Sequence, residues 1–352
     1  MGCSLDLFGR GFTESLAGLG RNPAVCLFIG IFATSVLQSS GAVTSMVVVW
    51  GQSGLLSLKG AIPMVMGANI GTSVTNLLVS LSMITRSHEF RRAVSGAIVH
   101  DFFNVIAVLI FFPLELTTGF LRKTALATAH FFQGAGGAEL VNLMDVIVRP
   151  VAGVVRDFFL ETLRIGKTTA GVILLALAVA LLFGSLIFIA RLMRRTVLKG
   201  LEAFFDKYLF RNAPAAFLFG IVLTMIVRSS SVATSLLVPL VGAGVLTVEQ
   251  IFPYTLGANV GTTFSAMLAA LVKPGQFFPG TATPLGLTVA FAHLLFNIFG
   301  IALIYPFRFI PITIAKRFGE IAARKKSLAF IYIAVVFFAI PGIVILLSEL
   351  LR

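Results

Sequence analysis

Two polar runs decide how this chain folds: Gln38-Ser39-Ser40-Gly41 and Arg228-Ser229-Ser230-Ser231. The first run interrupts the apolar segment 23–50, and the second interrupts the apolar segment 214–241. Each interruption leaves two halves that are too short to cross a bilayer, because a spanning helix needs about 20 apolar residues. Non-helical backbone at membrane depth is tolerated only where it is buried in protein or lines a cavity. The two segments therefore predict re-entrant hairpins whose polar tips lie at mid-depth in a membrane.

The composition supports a membrane protein. Of the 352 residues, 58% are hydrophobic and 12% are charged, whereas a soluble domain carries about 25% charged residues. The net charge of +13 does not indicate a nucleic-acid partner, because the basic residues lie between apolar runs, where they act as topology signals. We therefore expect an all-α polytopic protein in the plasma or inner membrane, in contact with the lipid bilayer and with no nucleic-acid partner.

Six further apolar runs are long enough to be transmembrane helices. They lie near 55–85, 93–113, 168–190, 245–271, 285–305 and 328–348. The last run lies outside the internal repeat described next, so it is a candidate interface for a homo-oligomer.

The chain contains an internal repeat, because residues 30–81 align without gaps to 220–271 when they are shifted by 190 positions. The shared residues are mainly polar, Gly or Pro, which a general apolar bias would not select. The repeat predicts five parts: an N-terminal interfacial segment 1–20, repeat 1 at 21–115, a connecting region 116–210 that contains the span 168–190, repeat 2 at 211–307, and a basic loop with a C-terminal span at 308–352.

The basic loops indicate how the repeats are oriented. The loops 86–92, 191–211 and 308–326 are rich in Lys and Arg, so we expect them in the cytoplasm. Repeat 1 then begins outside the cell and repeat 2 begins inside. Two inverted-topology repeats of this kind are common in secondary transporters.

The hairpin tips are candidate anion sites. A helix break exposes N-terminal N–H groups and positive dipole ends, and serine hydroxyls add further donors. The serines concerned are Ser39, Ser40, Ser229, Ser230 and Ser231. The alternative is that these hydroxyls bond the carbonyl four residues earlier or line a helix contact.

A second pair of motifs follows the hairpins, with Gly67-Ala68-Asn69-Ile70-Gly71-Thr72 in repeat 1 and Gly257-Ala258-Asn259-Val260-Gly261-Thr262 in repeat 2. Glycines inside a span allow it to unwind, and freed carbonyls with Asn and Thr oxygens can then bind a hard cation. This predicts a broken transmembrane helix in each repeat. Close helix packing is the alternative, since the glycines in each motif are four residues apart.

These motifs, with His100-Asp101-Phe102-Phe103-Asn104 and His293-Leu294-Leu295-Phe296-Asn297, resemble those of the type II sodium-dependent phosphate cotransporters and their bacterial relatives. The resemblance covers about 20–115 and 211–306. It implies sodium-coupled transport of inorganic phosphate by alternating access, with phosphate at the paired hairpin tips. It also implies sodium as the coupling ion, held by Gln38 and Ser39 with oxygens of Thr72, Thr75, Thr262 and Ser265. Asn69 and Asn259 complete the predicted sodium ligands.

The chain departs from the family pattern at two positions. Gly41 stands where the family has a third Ser, and Arg228 stands where it has Gln. An Arg at the bilayer centre costs at least about 2.5–3.5 kcal/mol. We therefore expect Arg228 either to pair with phosphate or to occupy a sodium position, which would weaken sodium coupling. In the alternative, its guanidinium points away and bonds carbonyls.

Polar residues of the spans that follow have simpler interpretations. We expect His100, His293, Asn104 and Asn297 to form hydrogen bonds between helices. Asp101 has no counterpart in repeat 2, and an interfacial salt bridge is its favoured role over a proton or ion site.

The sequence leaves several functions open besides phosphate transport. A transporter could carry another small oxyanion or a carboxylate, or use protons as its coupling ion, and a passive anion channel is a further option. An intramembrane hydrolase could pair Ser39 or Ser40 with His100. Duplication argues against an enzyme, because such catalysis needs one asymmetric nucleophile–base pair.

Overall fold

The computed structural model describes residues 22–52, 55–132, 209–271 and 285–351, together with short pieces between 154 and 177. The predicted interfacial segment 1–20 lies outside these residues. So do most of the predicted span 168–190 and most of the loop 191–211.

Helices form all the regular structure within the described residues. In the first half they are α1 (Pro23–Leu37), α2 (Ser40–Gln52), α3 (Leu58–Gly71), α4 (Ser73–Leu81), α5 (Ser87–Thr118) and α6 (Phe120–Phe131). In the second half they are α7 (Ala213–Val227), α8 (Ser230–Ser235), α9 (Leu237–Ala243), α10 (Val248–Leu271), α11 (Leu285–Ile304), α12 (Phe309–Arg324), α13 (Ser327–Ala334) and α14 (Ile340–Leu350).

In the part of the chain that the structure describes, four helical stretches are long and apolar enough to cross a membrane: Leu58–Leu81, Ser87–Thr118, Leu285–Phe307 and Ser327–Leu350. They coincide with four of the predicted spans. The predicted span at 245–271 is also helical, as the 24-residue helix α10, but polar residues along it keep it out of this apolar group.

The chain leaves the helical conformation at the two polar runs. Gln38 (φ 55°) and Arg228 (φ 56°) are the two non-glycine residues with positive φ among those described. Each one ends a 15-residue helix and donates its backbone N–H four residues back, to Thr34 O at 2.8 Å and Thr224 O at 2.7 Å. A helix of this length spans about 22 Å, which is less than the hydrocarbon core.

The two short helices also begin alike. The side chain of Asn22 accepts a hydrogen bond from Ala24 N at 2.9 Å, and that of Asn212 accepts one from Ala215 N at 2.9 Å. Both helices carry a proline in the first turn, where the missing N–H costs nothing. Asn caps and αL ends therefore set the same helix length in both halves.

The predicted break in the following helix was wrong. In the first half only Thr72 separates α3 from α4, and its angles (φ −59°, ψ −32°) are helical. In the second half α10 runs without interruption through Gly257 and Gly261.

The glycines serve helix packing instead of unwinding. A Cβ on Gly67 would collide with the backbone of Leu27 and Ile31 in α1, and a Cβ on Gly257 would collide with Phe217 and Ile221 in α7. The backbones of these helices therefore touch, as small residues allow in membrane helix pairs.

The helices that follow each break pack against the opposite half of the chain. Helix α2 packs on α10 and α11, while α8 packs on α4 and α9 packs on α5. Gln52 Nε2 at the end of α2 donates to Ala270 O at 2.9 Å, and Arg92 Nε in α5 donates to Gly242 O at 2.9 Å. Because the helices after each break pack on the other half of the chain, the two breaks come close together.

Candidate functional site

The two polar runs meet inside the protein. Ser40 Oγ lies 3.4 Å from Ser230 Oγ, and both residues are buried. Gly41 is beside them, since a Cβ added to it would lie 3.6 Å from Arg228 O and 3.7 Å from Ser265 Oγ. The tips of the two breaks are thus in direct contact although they are 190 residues apart in sequence.

Serines cap both helices at this contact. Ser39 Oγ accepts from Ala42 N at 3.3 Å, and Ser229 Oγ accepts from Val232 N at 3.3 Å. Helix α8 continues into α9 through Leu236, whose angles are helical. Two helix N-termini therefore point their N–H groups and dipoles toward one buried region, which favours a negative charge there.

The hydroxyl groups near the two tips differ in whether they already form a hydrogen bond within the protein. Thr44 and Thr234, one turn into each helix, donate to Ser40 O at 2.8 Å and Ser230 O at 2.7 Å, which is the back-bonding that the alternative proposed. Ser231 Oγ is buried and has no hydrogen-bond partner among the described residues. A buried unpaired hydroxyl is costly unless a ligand satisfies it.

Arg228 lies half-buried at the second tip. Its backbone N–H caps α7, and its guanidinium makes no hydrogen bond or ion pair with any residue in the described part of the chain. The alternative in which the guanidinium bonds carbonyls is not observed there.

The predicted sodium ligands fall into two places. Thr75 Oγ1 donates to Gln38 Oε1 at 2.6 Å, and Gln38 Nε2 donates to Ser35 O, so the structure brings Gln38 and Thr75 together at the first tip. Ser265 lies beside Gly41. The hydroxyls of Thr72 and Thr262 back-bond to the carbonyls four residues earlier, at 3.0 Å and 2.9 Å.

Asn69 and Asn259 lie elsewhere, in a fully buried His–Asn network. His293 Nε2 is 3.0 Å from Asn69 Oδ1, and Asn69 Nδ2 donates to Asn297 Oδ1 at 3.0 Å. In the corresponding bonds of the other half, His100 Nε2 is 2.5 Å from Asn259 Oδ1, and Asn259 Nδ2 donates to Asn104 Oδ1 at 2.9 Å.

This network confirms the hydrogen bonds expected between the helices, and every bond just given joins one half of the chain to the other. The oxygens of both asparagines are already engaged, so their role as sodium ligands stays a prediction.

The interpretation of Asp101 as a salt bridge was wrong. Its carboxylate is buried and accepts a hydrogen bond from Tyr332 Oη, while Oδ1 has no partner, and no cation pairs with it in the described residues. No local sequence signal points to Tyr332 as the partner of Asp101, because that residue lies 231 positions away and outside the repeat.

Two contacts that hold α8 in place were also not predicted. Thr234 Oγ1, whose O–H also reaches Ser230 O, lies 3.0 Å from Asn76 Oδ1, and Tyr254 Oη donates to Ala233 O at 2.9 Å. The signal for them is an asymmetry in the repeat alignment, where Ala266 matches Asn76 and Met64 matches Tyr254.

The structure pairs neither Ser39 nor Ser40 with His100, as the hydrolase alternative requires. His100 Nδ1 is 3.3 Å from Ser73 Oγ, and its other nitrogen contacts Asn259 and Asn104. The hydrogen bond of Ser40 goes to Ser230, and the hydroxyl of Ser39 caps its own helix.

Long apolar helices around a buried, serine-lined contact between two matching halves define a helical membrane protein with an internal polar site. The chain belongs to the Na+/Pi-cotransporter family, whose family model matches residues 4–129 and 180–344. This is a family of transporters, not of enzymes.

Curated relatives agree with this family. The chain is 33% identical over 435 aligned residues to sodium-dependent phosphate transport protein 2B of Homo sapiens, covering 96% of this chain and 62% of the relative. It is 33% identical over 421 residues to protein 2A of Rattus norvegicus, covering 97% and 65%. The chain therefore spans less than two thirds of the length of these relatives. No solved structure matches it.

Proposed function

We propose that this protein is a secondary active transporter that carries inorganic phosphate across the membrane, coupled to sodium, by alternating access. The names of its relatives, which are sodium-dependent phosphate transport proteins, support this substrate and this coupling ion. The observation that carries the proposal is the 3.4 Å contact between Ser40 Oγ and Ser230 Oγ in the protein interior. It brings together two helix N-termini, which is the chemistry that an oxyanion requires.

In this proposal phosphate binds between the two tips. Ser39, Ser40 and Gly41 supply one side, and Ser229, Ser230 and Ser231 supply the other. The unpaired hydroxyl of Ser231 supports the assignment, because a phosphate oxygen would satisfy it. Arg228 then adds a bidentate charge-assisted pair to the phosphate or replaces one sodium ion.

Sodium binds beside the first tip in the same scheme. Gln38 and Ser39 contribute with hydroxyl oxygens of the spanning helices, from Thr72, Thr75, Thr262 and Ser265. The other two predicted ligands, Asn69 and Asn259, belong to the separate His–Asn network and are not assigned to this position. The 2.6 Å bond between Thr75 and Gln38 supports this position, because it brings two hard oxygens together in a buried place.

We further propose that the two halves are inverted repeats with re-entrant hairpins at 23–50 and 214–241. Matching αL breaks, matching caps and the exchange of α2 with α8 and α9 support this arrangement. The bond from Arg92 to Gly242 O also places the end of the second hairpin beside the basic loop 86–92, which we assign with 308–326 to the cytoplasm. Two near-equivalent halves can exchange conformations, which would open the site to each side in turn.

Uptake of labelled phosphate into proteoliposomes, with and without a sodium gradient, tests the function. Saturable uptake that requires sodium supports the proposal. Uptake that does not saturate would indicate a channel, and uptake driven by a proton gradient alone would indicate proton coupling. Competition by sulfate or arsenate measures how selective the site is.

Variants connect the activity to the tips. Ser40→Ala and Ser230→Ala should each raise the phosphate KM, by about tenfold if one hydrogen bond to a charged group is lost. The matched control is Ser327→Ala, which removes an exposed serine from the C-terminal span. Equal KM values in all three variants would refute the phosphate site.

Arg228→Gln restores the residue of the family pattern. We expect it to change the number of sodium ions that move with each phosphate, or to weaken phosphate affinity. If stoichiometry and affinity are both unchanged, Arg228 has neither role.

A further inference from the structure

A cavity with charged residues in its walls, none of which belongs to the serine tips, lies where three helices meet at the predicted cytoplasmic surface. It has a volume of about 250 Å³. Its walls come from the start of α5, the start of α10 and the middle of α12, through Arg91, Arg92, Ser95, Val248, Lys316 and Glu320. Three cationic side chains therefore face the same cavity with one carboxylate.

The cavity walls are held in place by specific contacts. Arg92 Nε donates to Gly242 O at 2.9 Å, which leaves its two terminal NH2 groups available. Lys316 pairs with Glu249, the residue after Val248. On the opposite wall Gly319 packs so closely that a Cβ would lie 2.6 Å from Arg91 O and would also collide with Ser95 Oγ. These contacts hold Arg92 and Lys316 at the cavity, and the exposed side chain of Arg91 lines the same cavity.

The helix that forms one wall exposes large apolar side chains. Helix α12 has 16 residues and is not among the four stretches that can cross the membrane, yet it exposes Phe309 (63%), Ile314 (38%) and Ile321 (52%). Exposed apolar residues beside basic ones are typical of a helix that lies in the membrane interface. A cavity beside such an interfacial helix would lie at the depth of the phospholipid headgroups.

We propose that this cavity binds the phosphate group of an anionic phospholipid. Arg91 and Arg92 hold the phosphate oxygens by charge-assisted bonds, and the apolar wall at Val248 faces the glycerol side of the headgroup. A phosphodiester carries a single negative charge, which suits a cavity whose three cations are partly balanced by Glu320 and by the Glu249 pair. Basic pockets between membrane helices on the cytoplasmic side commonly bind such headgroups.

Lipid binding to the detergent-solubilised full chain tests the inference without any measurement of transport. The probes are short-chain phosphatidylglycerol, matched phosphatidylcholine and inorganic phosphate, read by the shift in Tm and by lipid adducts in native mass spectrometry. Phosphatidylglycerol should raise Tm and form an adduct, whereas phosphatidylcholine should do neither.

Variants then locate the site. Each basic residue near an anionic headgroup contributes about 1 kcal/mol, or about fivefold in affinity, so Arg91→Gln with Arg92→Gln should weaken phosphatidylglycerol binding about 25-fold. Arg317→Gln with Arg324→Gln is the matched control, because it removes two exposed charges that do not line the cavity. Arg91→Gln alone keeps the Arg92–Gly242 bond and should still lose about fivefold if the double variant does not fold.

Three results would overturn the proposal. The first is equal binding of phosphatidylglycerol and phosphatidylcholine. The second is an equal loss of phosphatidylglycerol affinity in the cavity variant and in the control variant. The third is stabilisation by inorganic phosphate alone that is lost with Arg91, because it would assign the cavity to free phosphate. None of these results depends on whether the serine tips bind phosphate, so the two proposals can fail separately.

Discussion

Gly67→Ala tests whether the α1–α3 backbone contact is needed for the fold. The new Cβ would lie 2.9 Å from Leu27 C and 3.0 Å from Ile31 N, and closer still to Leu27 O. Favourable carbon contacts lie at about 3.5–4.0 Å, so the helices must separate by on the order of 1 Å. The obstructing atoms belong to the backbone of α1, so no side-chain rotation can move them aside.

The magnitude follows from two opposing terms. Overpacking costs about 1–3 kcal/mol, and a backbone obstruction belongs at the upper end of that range. The better helix propensity of Ala returns about 1 kcal/mol. We therefore expect a net loss of about 2 kcal/mol.

Thermal unfolding in detergent, followed by the helical circular dichroism signal, measures this loss. The matched control is Gly342→Ala in α14, where no atom lies within 4 Å of the new Cβ, so its Tm should stay the same or rise. Gly257→Ala, in the equivalent contact between α7 and α10, should resemble Gly67→Ala. If Gly67→Ala melts at the temperature of the Gly342 variant, the contact is not a constraint and the glycines need another explanation.

Three further predictions concern the buried polar groups. Asn259→Ala leaves His100 without its acceptor and should lower stability by about 1–3 kcal/mol, measured by the same unfolding assay. Tyr332→Phe removes the donor to Asp101 and should destabilise the protein by a similar amount. If Tyr332→Phe costs just as much in an Asp101→Ala background, where the acceptor is gone, the hydrogen bond is not the cause. Thr75→Val should raise the sodium concentration for half-maximal uptake, because it removes the bond to Gln38, whereas Thr117→Val on the exposed end of α5 should not; equal shifts would contradict the sodium site.

The repeat alignment correctly predicted local structural features that the two halves share, but it did not predict where the two halves differ. It anticipated that Gln38 and Arg228 would stand at equivalent breaks, because the cap and polar-run signals are encoded within a few residues. It also predicted an unwound helix in both halves, and α10 is continuous. Glycines four residues apart are compatible with unwinding and with close packing, and only the position of α7 decides between the two.

The sequence alone determined that the chain is a helical membrane protein, where the two short helices end, and which family it belongs to. These properties depend on hydropathy, caps and motifs, all of which act over a few turns of chain. The tertiary structure decided that Ser40 meets Ser230, that Asp101 accepts from Tyr332, and that Arg91, Arg92 and Lys316 surround one cavity. Such contacts join residues far apart in sequence, so they depend on how whole helices pack and cannot be read from local pattern.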